Sequence, residues 1–194
     1  GDRAAFDILL RRYERPVYNA ALRMLRNPED ARDVAQTVFL KVYEHLSEYD
    51  PKYRFYSWIY RIAVNESLHG LSRRHRVEPI DEEEPDEHPG PDDEVGNEQT
   101  SRRVQSALMR LKPEHRTVVV LKHLLGCSYE DMSEILQLPE KTVKSRLFTA
   151  RQLLKEVLDY SADLAAIGKN LGDDLAEGKM TLPLIRAIAV GGDE

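Results

Sequence analysis

The chain has 194 residues, 41% of them hydrophobic and 32% charged, which suffices for one large or two small packed cores in a soluble protein. No apolar run approaches the roughly 18 residues of a membrane span, and the lone Cys127 excludes a disulfide framework or a thiolate zinc cluster. The net charge of −6 is unevenly distributed: residues 1–77 carry +4, 78–98 carry −11 without a Lys or Arg, 99–158 carry +5 and 159–194 carry −4. Two basic blocks of this kind can supply the phosphate-neutralising part of nucleic-acid affinity. The opening Gly1-Asp2-Arg3-Ala4-Ala5-Phe6 has neither Met nor a signal-peptide pattern. It is read as starting inside a longer, cytoplasmic gene product.

The first helix carries Phe6, Leu9, Leu10, Tyr13, Val17, Ala20 and Met24 at three-and-four spacing, with Pro16 placed to bend it. Asn27-Pro28 supplies an N-cap and a first-turn proline for a second helix, whose apolar stripe is Ala31, Val34, Ala35, Val38, Phe39, Val42 and Leu46. Asp50-Pro51 ends it. A third helix from about Ser57 to Arg74 holds Trp58, Ile59, Ile62 and Ala63 and closes on Arg73-Arg74-His75-Arg76. Residues 78–100, acidic and proline-rich, are expected to form a flexible linker.

Beyond it, Val104, Ala107, Leu108 and Leu111 form a short stripe, and Pro113 starts a helix bearing Val118, Leu121 and Leu125. Gly126 is placed as its C-cap, and Ser128 with Asp131 three residues later reads as a capping box. The turn Gln137-Leu138-Pro139 leads to a last helix, about Glu140 to Lys155, whose Val143, Leu147, Ala150 and Leu154 must face a core. Its other side presents Lys141, Lys144, Ser145, Phe148, Thr149 and Gln152. Cations, hydroxyls and an aromatic suit base edges and phosphates in a major groove. Helix, tight turn and a second helix with a basic outer face is the helix-turn-helix arrangement. An ordinary amphipathic surface helix would show the same stripe, but an outward Phe148 among cations calls for a partner. The fold class expected is all-α: two small helical domains, the second a helix-turn-helix, an acidic linker between them, and a helical or irregular tail.

Three stretches of the second domain resemble region four of the bacterial extracytoplasmic-function (ECF, group four) sigma factors. They are Leu111 to Arg116, Cys127-Ser128-Tyr129-Glu130-Asp131-Met132, and Lys141-Thr142-Val143-Lys144-Ser145-Arg146-Leu147. In the first domain, Asp30-Ala31-Arg32-Asp33-Val34-Ala35-Gln36-Thr37-Val38-Phe39 is similar to the family's region 2.2, and Phe55 through Asn65 to its regions 2.3 and 2.4. The resemblance covers about residues 4–156. It implies a domain at 1–77 for polymerase docking and −10 recognition, and one at 101–156 for −35 recognition.

The resemblance further implies a sigma factor without catalysis, metal or cofactor, bound to core RNA polymerase (β′ clamp helices and β flap) and promoter DNA and restrained by an anti-sigma factor. Asp33, Gln36 and Phe39 would meet the polymerase, with a core role for Phe39 equally open. Arg61, Asn65, His69, Arg73, Arg74 and Arg76 would capture the −10 element, His69 standing where the family often has Asp. Captured single strands need stacking rings beside a cationic track. Tyr53, Phe55 and Tyr56 lie near that site, while Trp58 reads as core. Lys141, Lys144, Ser145, Arg146, Phe148 and Thr149 would meet the −35 element, with Arg146 and Arg151 directed to phosphates or acids. A stand-alone helix-turn-helix regulator is the alternative.

The tail, 157–194, instead resembles a segment of trans-polyprenyl diphosphate synthases around their second aspartate-rich motif, on Asp159 and the run Ile167 to Leu184. Magnesium-dependent prenyl transfer is therefore a further alternative. The stretch lacks the first aspartate-rich motif and the helical barrel of those enzymes, so no such activity is expected.

Overall fold

The structure, a computed structural model, describes residues 3–77 and 104–160. The acidic segment and the residues after Tyr160 lie outside the described residues, and with them the linker expectation and nearly all of the tail. Among the described residues there is no β-strand, and no helix is long and apolar enough to cross a membrane.

Helix α1 spans Arg3–Leu25 and runs uninterrupted through Pro16. Helix α2 spans Pro28–His45. Asn27 caps it by accepting from the amides of Glu29 and Asp30 at 2.9 and 3.1 Å, and the first turn adds two acids to the dipole's positive end. After a short 3₁₀ turn at Leu46–Glu48, α3 spans Phe55–Val77, two to three residues longer at each end than the apolar stripe predicts. Val17, Ala21 and Met24 of α1, Ala31, Val38 and Val42 of α2, and Ile59 and Ala63 of α3 are buried where the three helices meet. Tyr49, Phe55 and Trp58 stack together with ring centroids 5.4 to 5.7 Å apart at the entrance to α3. Trp58 thus stands half-buried in an aromatic cluster rather than deep in the core.

In the second half, residues 104–110 form α4, and α5 spans Pro113–Val119. It widens into a π-helical turn at Val120–Leu124, which Leu125 N–H closes on the Val120 carbonyl. Gly126 turns out of it with φ +67°, in the left-handed region that favours glycine. Helix α6 spans Tyr129–Leu136 and α7 spans Glu140–Tyr160. Helix α7 therefore runs past the expected boundary near Lys155, because Leu158 continues the buried line of Leu147 and Leu154. Residues assigned from sequence to the tail begin inside this helix.

The two halves share one continuous hydrophobic core. Helix α3 packs on α6, and α1 packs on α5 and the π-helical turn. At the junction lies Arg116, only 4% exposed. Its guanidinium donates to the carbonyls of Leu108, Met109 and Leu111 at 2.9 to 3.1 Å and to that of Met24. These carbonyls lie at the C-terminal ends of α4 and α1, where amide donors run out; that of Leu108 also accepts from the Leu111 amide at 3.2 Å. One arginine thus caps two helix ends from opposite halves of the chain. Burial pushes its pKa down to about 10, which still leaves it charged at neutral pH.

His123 is buried in the second half with Arg151 Nε 3.4 Å from its Nε2. Burial, then the nearby charges of Arg151 and Lys122, lower its pKa from 6.5 to about 4. The unfolded chain therefore binds a proton there that the folded chain rejects between those values, and stability falls as pH drops from 6.5 towards 4.

Arg116 and His123 each give an expectation that can be measured. Arg116→Ala should lower unfolding free energy on the order of 3 kcal/mol, because orphaned helix-end carbonyls remain buried. Urea midpoints check this, and an unchanged midpoint would refute the capping role. His123→Gln should narrow its stability gap to the parent by up to about 3 kcal/mol between pH 6.5 and 4. A gap constant with pH would mean that His123 does not stay neutral in the fold.

Candidate nucleic-acid interface

The helix-turn-helix is built from α6, a turn and α7. Ser128 closes the capping box: its Oγ accepts from the Asp131 amide at 3.1 Å, while Asp131 Oδ2 accepts from the Ser128 amide at 2.9 Å. The turn is fixed by Gln137 in the left-handed region (φ 53°) and by Ser133 Oγ donating to the Leu138 carbonyl at 2.5 Å. Pro139 then offers its carbonyl to the amides of Thr142 and Val143, which starts α7.

On α7, Val143, Leu147, Ala150 and Leu154 are buried, as the periodicity requires. Lys141, Lys144, Ser145, Phe148 and Thr149 are exposed together on the opposite side, and Arg146 is half-buried at its margin. Phe148 is 62% exposed. Lys144 is not a loose cation: it donates to Glu140 at 2.7 Å, and its ammonium stands 5.2 Å from the Tyr129 ring centre, with Lys122 at 4.8 Å from the same ring. Tyr129 is a member of this surface that sequence reading missed. Its only sequence signal is its place directly after the Ser128 cap. Arg151, expected to face a phosphate or an acid, lies against His123 instead.

On α3, Arg61, Asn65, His69 and Arg73 follow at four-residue steps, which puts them along one side of the helix. Asn65, His69 and Arg73 are exposed. Arg61 is half-buried, its Nη2 donating to the Glu134 carbonyl on α6 at 2.7 Å. His69 stands 3.9 Å from Glu66, which also accepts from Lys41 at 2.6 Å. Arg74 and Arg76 lie on the helix, but their side chains are outside the described residues. Tyr53 is exposed, whereas Phe55 and Tyr56 are half-buried against their neighbours.

On α2, Asp33 and Gln36 are exposed. Phe39 is 7% exposed and packs in the core, the role the sequence left open beside docking, and its edge lines the groove that also touches Gln36. Sequence reading missed Leu40 and Tyr43, which are 58% and 67% exposed. Tyr43 is steadied edge-on by Phe6 at 5.3 Å. The signal was present, since both residues fall off the stripe that runs through Val34, Val38 and Val42. Next to Gln36 a groove of about 740 Å³ opens between α1 and α2, with Arg11, Arg15 and Arg32 among its lining residues.

Among the described residues no group of three or more His, Cys, Asp or Glu is placed to hold a metal ion. Cys127 is buried, and burial pushes its thiol up to about 12, far from a reactive thiolate.

Two family models match the chain: Sigma-70 region 2 over residues 9–77 and Sigma-70 region 4 over residues 101–154. The RNA polymerase sigma-H factor of Pseudomonas aeruginosa is 31% identical over 81% of this chain and 88% of that protein. The ECF RNA polymerase sigma factor SigM of Mycobacterium tuberculosis is 36% identical over 82% of this chain and 80% of that protein. Among solved structures, CnrH in complex with the cytosolic domain of CnrY superposes with a TM-score of 0.64 at 27% identity, covering 84% of this chain and 92% of that one. The sigma factor RpoE of Bartonella quintana, solved with the anti-sigma factor NepR, shares the fold with a TM-score of 0.64 at 22% identity, over 81% and 98% of the two chains. With both regions matched in order and relatives aligned along most of its length, the chain belongs to the ECF branch of the sigma-70 family.

Proposed function

We propose that the chain directs core RNA polymerase to promoters through two separate DNA readers and a third, polymerase-facing surface. As a sigma factor it is an initiation subunit and not an enzyme. The observation that carries the −35 assignment is the exposed Phe148 set among Lys141, Lys144, Ser145 and Thr149 on the outer side of α7. An exposed aromatic beside cations and hydroxyls matches what a thymine methyl, base edges and phosphates need.

The −10 element is assigned to the α3 side bearing Arg61, Asn65, His69, Arg73, Arg74 and Arg76, with Tyr53 as the exposed ring beside it. Polymerase docking is assigned to Asp33 and Gln36 and is extended here to Leu40 and Tyr43. In domain terms, residues 1–77 dock and open DNA, 78–100 link, and 101–156 read duplex. The proposed partners are the β′ clamp helices and β flap of core polymerase, promoter DNA and an anti-sigma protein, all in the cytoplasm. The likeness of residues 157–194 to a polyprenyl synthase segment has no part in this function. A stand-alone regulator would use α7 in the same way but would leave the region 2 match without a purpose.

The direct test is transcription from a genomic promoter library by core polymerase with and without the chain. Promoter-dependent transcripts are expected only with it, and their absence from every template would sink the function. Lys144→Ala with Phe148→Ala should lower −35-dependent initiation by about 1–3 kcal/mol per lost contact and leave core binding intact. Equal loss of core binding would show that the reading face is misplaced. Replacing Asp33 and Gln36 by Ala should weaken affinity for core while free-chain binding to duplex DNA stays constant, and unchanged core affinity would refute the docking face.

A further inference from the structure

The exposed side of α7 opens on a residue of unexpected charge for a helix that meets DNA. Glu140, the first residue of the helix, is exposed, and from there to Lys155 it is the one acid in the sequence. A carboxylate at a helix start suits the dipole. This one, however, stands at the end from which a recognition helix contacts base edges, between phosphate rows that repel it. Glu140, Lys144 and Phe148 follow at four-residue steps, so carboxylate, ammonium and ring form one exposed line. Glu140 Oε2 accepts from Lys144 Nζ at 2.7 Å, and the same ammonium stands 5.2 Å from the Tyr129 ring centre. The pair is neutral as a unit and sets an acceptor and a donor side by side.

One base pair presents the complement of this arrangement. The major-groove edge of G·C carries the acceptors N7 and O6 on guanine and the N4 amino donor on cytosine. O6 and N4 are joined by a base-pairing hydrogen bond and so stand about 2.9 Å apart, close to the 2.7 Å between Glu140 and Lys144. The ammonium can then donate to O6 and N7 while the carboxylate accepts from N4. Turning the base pair round sets the ammonium against the amino group. In A·T, adenine N7 places a second acceptor beside the carboxylate, and the thymine methyl crowds the ammonium. A lysine alone, a point charge with rotatable donors, would take guanine, thymine or phosphate alike.

We propose that Glu140 is a specificity-determining residue: together with Lys144 it selects one G·C pair of the upstream duplex element in one orientation, the carboxylate on cytosine N4 and the ammonium on guanine. This rests on the assignment of α7 as the −35 reader and adds to it which base pair the start of the helix selects. The acid that repels phosphates is thus kept where it discriminates between bases, its charge offset by Lys144.

In the test, promoters randomised across the upstream duplex are transcribed by core polymerase with the full chain, and transcripts are counted by sequence for the parent, Glu140→Ala and Glu140→Gln. The parent should enrich one G·C pair in a fixed orientation. Glu140→Ala should cut that enrichment on the order of tenfold at this position and leave the other positions unchanged. Glu140→Gln keeps an oxygen for an amino group and adds an amide donor for adenine N7, so it should move the preference there to A·T, with adenine in place of cytosine. No G·C preference in the parent, a preference that survives Glu140→Ala, or a Glu140→Gln profile equal to the parent's would each overturn the proposal. So would a gain spread evenly over all sequences in Glu140→Ala, which would mean that the carboxylate only repels phosphates. Should Glu140→Ala lower the melting temperature, the shift in Glu140→Gln, which keeps the side chain's size, decides alone. Absence of any promoter-dependent transcript with the parent would overturn the −35 assignment itself and this proposal with it, a failure distinguishable from an unchanged base preference.

Discussion

The arrangement of this molecule depends on a buried guanidinium. Helix ends leave carbonyls without partners, and two such ends, those of α1 and α4, meet in the middle of the structure away from water. Arg116 satisfies both with donors fanned in one plane, a task for which a lysine has the wrong geometry. No acid neutralises it among the contacts described, so the charge is stabilised by carbonyl dipoles at helix C-termini, where a cation is favoured. Arg116 stands on α5, against which α7 lies, and α6 in turn packs on α7 and α3.

That constraint explains why the residues proposed to meet DNA are displayed as they are. The inner stripe of α7 is consumed by the core, so the cations, hydroxyls and Phe148 have only the outer side. Their spacing is set locally, by the Ser128 capping box, the left-handed Gln137 and the Pro139 carbonyl, all short-range features of one turn. Lys144 is further oriented by Glu140 and the Tyr129 ring. An exposed ion pair of this sort contributes little stability, and its main consequence is where the ammonium points before DNA arrives.

Much of this was legible in the sequence, for identifiable reasons. The caps at Asn27 and Ser128 and the buried line Val143–Leu147–Ala150–Leu154 depend only on residues a few positions apart, and the periodicity of a helix exposes them. Arg116 carries no such signal, because its partner Met24 lies 92 positions away. The same holds for Arg54 with Asp131 and Arg61 with Glu134, which exist only after the halves meet. Phe39 reads equally as core or as surface in the sequence because α2 is apolar on more than one side, and only the packing of α1 decides which apolar residues are covered. Leu40 and Tyr43 are the ones left outside. The end of α7 was placed too early because the likeness of the following residues to another family drew the boundary, although Leu158 keeps the helical register.

Two readers on one chain, one for duplex and one for an opened strand, make a physical demand: both must engage the same promoter at different positions. Photo-cross-linking from Phe148 and, separately, from Asn65, with the chain bound to core polymerase on one promoter, measures this directly. The expected result is cross-links from Phe148 to the upstream duplex element and from Asn65 to the unwound downstream strand. Cross-links from both positions to a single element, or from Asn65 to duplex alone, would contradict it.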